Sequence, residues 1–198
     1  MRKLILKMSM SLDGFVAGPN GESDWMLRHR SEEGRRWVAE TLSQAGLCVM
    51  GSRSYFSWAE FWPKLNDPLA TLMNDMPKLV FTRQASLDRS AIGAMVTEAP
   101  RANVEKWAQA EVCSGDLATE IQRLKQQPGK DILAQGGAGF AQSLVATGLV
   151  DEYRLAVHPV FLGKGLSLFA QLPKPLDLEL RTTTLFRSGA AAHVYWPA

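Results

Sequence analysis

The spacing of apolar residues changes period along this chain. Residues 3–10 are apolar with partial alternation, which predicts a strand broken by the turn Asp13-Gly14. Phe15-Val16-Ala17 is a brief extended piece, and Gly18-Pro19-Asn20-Gly21 is a loop. Ser31 then offers a helix cap, and Glu32 and Glu33 fill a first turn where the helix dipole favours acids. Trp37, Val38, Thr41, Leu42 and Ala45 recur at helical spacing, so the helix runs to about Ala45 with Gly46 as its stop. Residues 47–50 form a short buried strand ending at Gly51. A helix over 54–61 follows, with Tyr55, Trp58 and Trp62 on one face.

The alternation continues. Strands are expected at 79–82 and 94–97, a helix at 114–126, a strand at 131–135, a helix at 140–147 and a strand at 153–158. Two more strands lie near 176–186 and 190–196. Strands separated by helices make a parallel sheet covered on both faces, whereas the strand-rich tail implies a closing antiparallel hairpin at one edge. The expected class is α/β, with one domain over 1–198 and no repeat or composition break.

Composition narrows the partners. The 198 residues are 46% hydrophobic and 21% charged, and 22 Lys plus Arg against 20 Asp plus Glu leave a formal charge of +2. That balance argues against nucleic acid and against an anionic membrane surface. The basic cluster Arg28-His29-Arg30 with Arg35-Arg36 reads as a solvated helix face. Two distant cysteines, Cys48 and Cys113, give neither a disulfide framework nor a zinc spacing, and no His/Cys/Asp cluster has metal spacing. With no secretory h-region and no membrane-spanning stretch, the expected address is the cytoplasm.

Three strand-end turns carry the chemistry. An apolar strand enters Gly136-Gly137-Ala138-Gly139 and a helix leaves it. Glycines allow close backbone approach, and the N–H groups at a helix start attract phosphate. By itself such a turn reads equally as a ligand site or as a tight turn, and Gln142 stands where a full G-x-G-x-x-G would need its third glycine. Gly51-Ser52-Arg53-Ser54 repeats the pattern with two hydroxyls and an arginine, and Thr82-Arg83 follows a third apolar strand. Together they suggest one polyanionic ligand across the carboxyl ends of the strands.

The order Ser11-Leu12-Asp13-Gly14-Phe15-Val16-Ala17, Met50-Gly51-Ser52-Arg53-Ser54-Tyr55 and Lys78-Leu79-Val80-Phe81-Thr82-Arg83 resembles the dihydrofolate reductase-like superfamily. Asp131-Ile132-Leu133-Ala134-Gln135-Gly136-Gly137, Gly148-Leu149-Val150-Asp151-Glu152-Tyr153-Arg154-Leu155 and His158-Pro159-Val160-Phe161-Leu162-Gly163-Lys164-Gly165 continue the match. The branch it is most similar to is the reductase domain of the bifunctional riboflavin-biosynthesis deaminase-reductase and its free-standing relatives. The resemblance implies a central sheet of about eight mostly parallel strands, NADPH as hydride donor, and a homodimer. It would put the pyrophosphate against Gly136, Gly137, Ala138 and Gly139, with Gln135 also at the cofactor. Gly51, Ser52, Arg53, Ser54, Thr82 and Arg83 would meet the phosphates and adenosine, and Met10, Val16 and Ala17 would line the nicotinamide.

Asp13, at a strand end beside the expected nicotinamide, is the candidate acid, although Asp-Gly is equally a turn. Glu32, Glu33 or water are the other proton sources, and Trp25 could close over the substrate. True dihydrofolate reductases hold the pterin with a carboxylate on the first long helix, which has no firm counterpart here. Dihydrofolate reduction is therefore the second reading, and a non-catalytic, dimeric dinucleotide-binding module the third.

Overall fold

The computed structural model describes residues 1–84, 87–89, 92 and 98–198; the strand expected at 94–97 lies outside these. Strand β1 (Leu4–Ser11) runs at the centre of an eight-stranded sheet, in parallel between β6 (Asp131–Ala134) and β7 (Glu152–His158). Beyond β6 lie β3 (Ala45–Gly51), β4 (Lys78–Phe81) and β5 (Glu111–Cys113), all parallel. Beyond β7, β10 (Ala191–Pro197) pairs antiparallel with β7 and with β9 (Leu178–Leu185), giving the order β5-β4-β3-β6-β1-β7-β10-β9. Outside this sheet, β2 (Phe15–Ala17) pairs with the short β8 (Leu166–Ser167). The mostly parallel α/β sheet and its closing hairpin match the sequence expectation.

Burial on both faces explains why the central strands read as apolar runs. Leu4, Leu6, Ile132, Ala134 and Tyr153 point to one core, shared with α5 (Leu117–Gln126) and α6 (Ala138–Ala146). Ile5, Cys48, Met50, Val80 and Leu133 point to the other. That face is covered by α1 (Glu32–Gln44), α2 (Ser52–Phe61), α3 (Pro68–Asp75) and α4 (Arg101–Ala108).

Several boundaries differ from the sequence reading. Gly46 does not stop α1: Ala45 is already extended, and Gly46 lies inside β3. A Cβ there would sit 3.0 Å from the Lys130 Cβ, so Gly46 serves close strand approach and not a cap. Helix α5 begins at Leu117 because Asp116, accepting from Thr119 N–H at 2.9 Å, caps it. Helices α3 and α4 are too short for their periodicity to stand out, although Asp67-Pro68 is a strong start signal for α3.

Candidate active site

A cavity of about 790 Å³ opens at the carboxyl ends of β1, β3, β4 and β6. Two helices begin at its wall, α2 after Gly51 and α6 after Gly137, and neither start carries a side-chain cap. Helices α1, α3 and α5, by contrast, are capped by Ser31, Asp67 and Asp116. The first-turn N–H groups of α2 and α6 lack intrahelical partners, and their dipoles direct positive potential into the cavity.

The two turns touch closely enough to require glycine. Gly136 and Gly137 have φ of +79° and +77°, and a Cβ on Gly136 would lie 2.8 Å from Trp58. A Cβ on Gly51 would lie 2.9 Å from the Phe140 Cβ. Around this backbone floor stand Arg53 and Arg83, both exposed. Among the described residues neither guanidinium has a hydrogen-bonding or ion-pair partner. Phe81 and Phe140 stack at 5.4 Å beside them.

The structure brings most of the sequence candidates to this one wall: Val16, Ala17, Gly51, Ser52, Arg53, Ser54, Thr82, Arg83, Gln135, Gly136, Gly137, Ala138 and Gly139. Met10 is not among them. It packs against the core cluster containing Leu4 and Leu6. Asp13 also lies off the wall. Its carboxylate accepts from Ser11 Oγ at 2.6 Å and from the N–H groups of Leu162 (3.1 Å) and Gly163 (2.7 Å). These bonds, that of Ser11 first, hold its pKa below the usual carboxylate value, so Asp13 is a loop anchor and not a proton donor. Trp25 is buried away from the cavity with its ring edge-on to His158 at 5.5 Å, while its neighbour Met26 lines the wall. Glu32 pairs with Arg36 and Glu33 with Arg187, and neither reaches the cavity.

Lys7 was missed from sequence. It projects from the middle of β1 into the cavity, and among the described residues its ammonium has no partner. Burial lowers its pKa to about 8. A single lysine inside the run Leu4-Ile5-Leu6-Lys7-Met8 of a central strand was the available signal, because an unpaired buried charge persists only for a reason outside packing. Leu6 pairs with Ala134, so Lys7 and Gln135 continue that register side by side on the face shared by Ile5 and Leu133. The Gln135 amide donates to two sulfurs, Met73 Sδ at 3.3 Å and Cys48 Sγ at 3.7 Å. Lys7, Arg53 and Arg83 are the charged residues of the described wall, which has no carboxylate.

Behind this floor His158 is buried, and among the described residues neither ring nitrogen has a hydrogen-bond partner. Burial first, then the neighbouring His29 and Lys7, lower its pKa to about 4. Among the described residues no helix is long and apolar enough to cross a membrane, and no group of His, Cys, Asp or Glu could hold a metal.

Known proteins resemble this chain in sequence or in fold. Residues 2–192 match the family described as the RibD C-terminal domain. The uncharacterized protein YyaP of Bacillus subtilis is 32% identical over 200 residues, covering 98% of this chain and 94% of its own. The crystal structure of a putative riboflavin biosynthesis protein from Shewanella sp. PV-4 superposes with a TM-score of 0.72 at 19% identity, covering 99% of both chains. Dihydrofolate reductase from Enterococcus faecalis, complexed with NADP(H) and RAB-propyl, superposes at 0.59 with 11% identity over 98% of this chain and 96% of its own. A sheet of this order, a cavity at its carboxyl edge and a family match over nearly the whole length agree: the chain belongs to the RibD C-terminal domain family, within the dihydrofolate reductase-like fold.

Proposed function

We propose that this protein is an NADPH-dependent reductase of a small heterocyclic or carbonyl substrate, similar in type to the 5-amino-6-(5-phosphoribosylamino)uracil reductase of riboflavin biosynthesis. One observation carries the reading: a single cavity has two helix starts without a side-chain cap, and two arginines and a lysine that have no partner among the described residues. The donor set suits a dinucleotide. The N–H groups of Ser52, Arg53, Ala138 and Gly139 would take pyrophosphate oxygens, and Gly136 and Gly137 let them approach. Arg53, with its planar fork, would take a ribose 2′-phosphate, with Thr82 and Arg83 beside the adenosine. Val16 and Ala17 would face the nicotinamide ring. Bound NADPH would supply the hydride.

The protein's own part in the chemistry falls to Lys7. An ammonium with a pKa of about 8 is mostly charged at neutral pH and gives up a proton readily. It polarises the substrate oxygen or nitrogen next to the reacting carbon and protonates it, while the Gln135 amide orients the ring. No carboxylate on the described wall competes for that role. The same absence disfavours dihydrofolate, because the face that α1 presents to the cavity is Val38 and Leu42. A second copy of the chain is the expected partner, and the outer strand β9, exposed along most of its length, is the surface proposed for it.

Titration with NADPH tests the cofactor reading directly. Trp58 and Trp62 line the cavity, so saturable quenching of tryptophan fluorescence is expected. No response at millimolar cofactor would defeat the enzyme reading and leave a non-catalytic module. Brisk NADPH oxidation with dihydrofolate would put folate first.

A further inference from the structure

The substrate end has two walls of different chemistry. Lys7 and Gln135 form the sheet side. Beside them a recess is lined by Val38 and Leu42 of α1, Trp58 of α2, Met73 of α3 and Trp62, with Met73 Sδ accepting from the Gln135 amide at 3.3 Å. These residues belong to the core cluster on that face of the sheet, and Leu42 and Met73 are almost wholly buried. Helix α1 gives the recess Val38 and Leu42, and Arg35, one turn earlier on that helix face, is not part of the lining. Arg35 is committed elsewhere: Nη2 lies 2.9 Å from Asp67 Oδ2, the residue that also caps α3 by accepting from Ala70 N–H.

From this we infer that the substrate is not phosphorylated, and that it carries a flat apolar arm which lies in that recess. The inference rests on the reductase reading for its assignment of cofactor and substrate ends. A phosphate monoester is a dianion, and placing it against Val38, Leu42 and Met73 would strip its water without replacing it. The hydroxyls of Ser9 and Ser23 reach the cavity but carry no charge. Lys7 is the cation of the described substrate end, and it is needed at the reacting centre. Both helix starts and the two arginines, which have no partner among the described residues, are the groups that do suit phosphate, and they belong to the other end. The two tryptophans and the thioether of Met73 instead suit an aryl group by stacking and dispersion.

Three uracils distinguish the possibilities: uracil, 5-benzyluracil and uridine 5′-monophosphate, each followed by tryptophan fluorescence and calorimetry. The benzyl compound is expected to bind about tenfold or more tighter than uracil, as burial of one ring implies. Uridine monophosphate is expected to bind no better than uracil once saturating NADP⁺ occupies the phosphate turns. Val38→Arg should weaken the benzyl compound and strengthen the monophosphate. Should that variant fail to fold, Val38→Ala is expected to cost the benzyl compound about threefold and uracil nothing. Equal binding of uracil and 5-benzyluracil, or tight monophosphate binding that survives NADP⁺, would overturn the inference. If NADP⁺ itself does not bind, the reductase reading fails, while the comparison of the two neutral uracils still decides whether the recess takes an apolar arm.

Discussion

The two ends of the cavity are built from different materials. The end proposed for the dinucleotide is mostly backbone: glycine turns, first-turn N–H groups and two arginines from helix and strand ends. The end proposed for the substrate is mostly side chains, contributed by β1, the residue after β6 and three helices separated widely in sequence. A backbone site depends on a local conformation and tolerates little change. A side-chain site can be rewritten residue by residue while the fold stays put. On the proposed reading, that difference would let one architecture keep its cofactor and vary its substrate.

Breaking each end separately should give effects of different kind and size. The largest is expected from Lys7→Met, with kcat/KM falling roughly 10²–10⁴-fold while NADPH affinity stays within about twofold. In the wild type, activity should fall as pH rises through about 8, where Lys7 loses its proton, and this limb should vanish in the variant. A pH–rate profile checks both. If cofactor affinity falls with kcat, Lys7 belongs to the wrong end.

Gly136→Ala comes next. It forces an L side chain to φ +79° and drives its Cβ to 2.8 Å from Trp58. The expected cost is about 1–3 kcal/mol of stability, with NADPH affinity falling further than the loss of Tm alone explains. Urea unfolding and fluorescence titration measure the two.

His158 gives the third test. Its folded pKa of about 4 lies below the ordinary 6.5, so the unfolded chain binds the proton first. Stability is therefore complete above pH 6.5 and is lost as pH falls toward 4, by at most about 3 kcal/mol. Urea midpoints at pH 7 and pH 5 should differ, and His158→Phe should flatten that dependence. The smallest effect is expected from Arg53→Ala, which should weaken NADPH by about tenfold and NADH hardly at all. Equal losses for both would remove Arg53 from the 2′-phosphate.

The same contrast decided what could be read from the sequence. The turns around Gly51 and Gly136 announce themselves because glycine, hydroxyl and arginine cluster within a few positions, and their shared sheet edge follows from alternating strands and helices. Val38, Leu42, Trp58, Trp62 and Met73 carry no such mark. Each reads as ordinary core until tertiary packing leaves a gap beside it. Asp13 misled for the opposite reason, being an ionisable group at the right strand end, two of whose bonding partners, Leu162 and Gly163, lie about 150 positions away. Lys7 was legible in principle, as the one charge inside a central apolar strand.

The anchoring of Asp13 has a consequence for how such proteins can vary. One carboxylate fastens the turn after β1 to the loop after β7, and the β2–β8 pair follows from the same joint. Neither segment can gain or lose a residue alone without leaving the other unmatched. Insertions in the two loops should therefore arise together among relatives, and anyone transplanting one of them into another scaffold must carry its counterpart along.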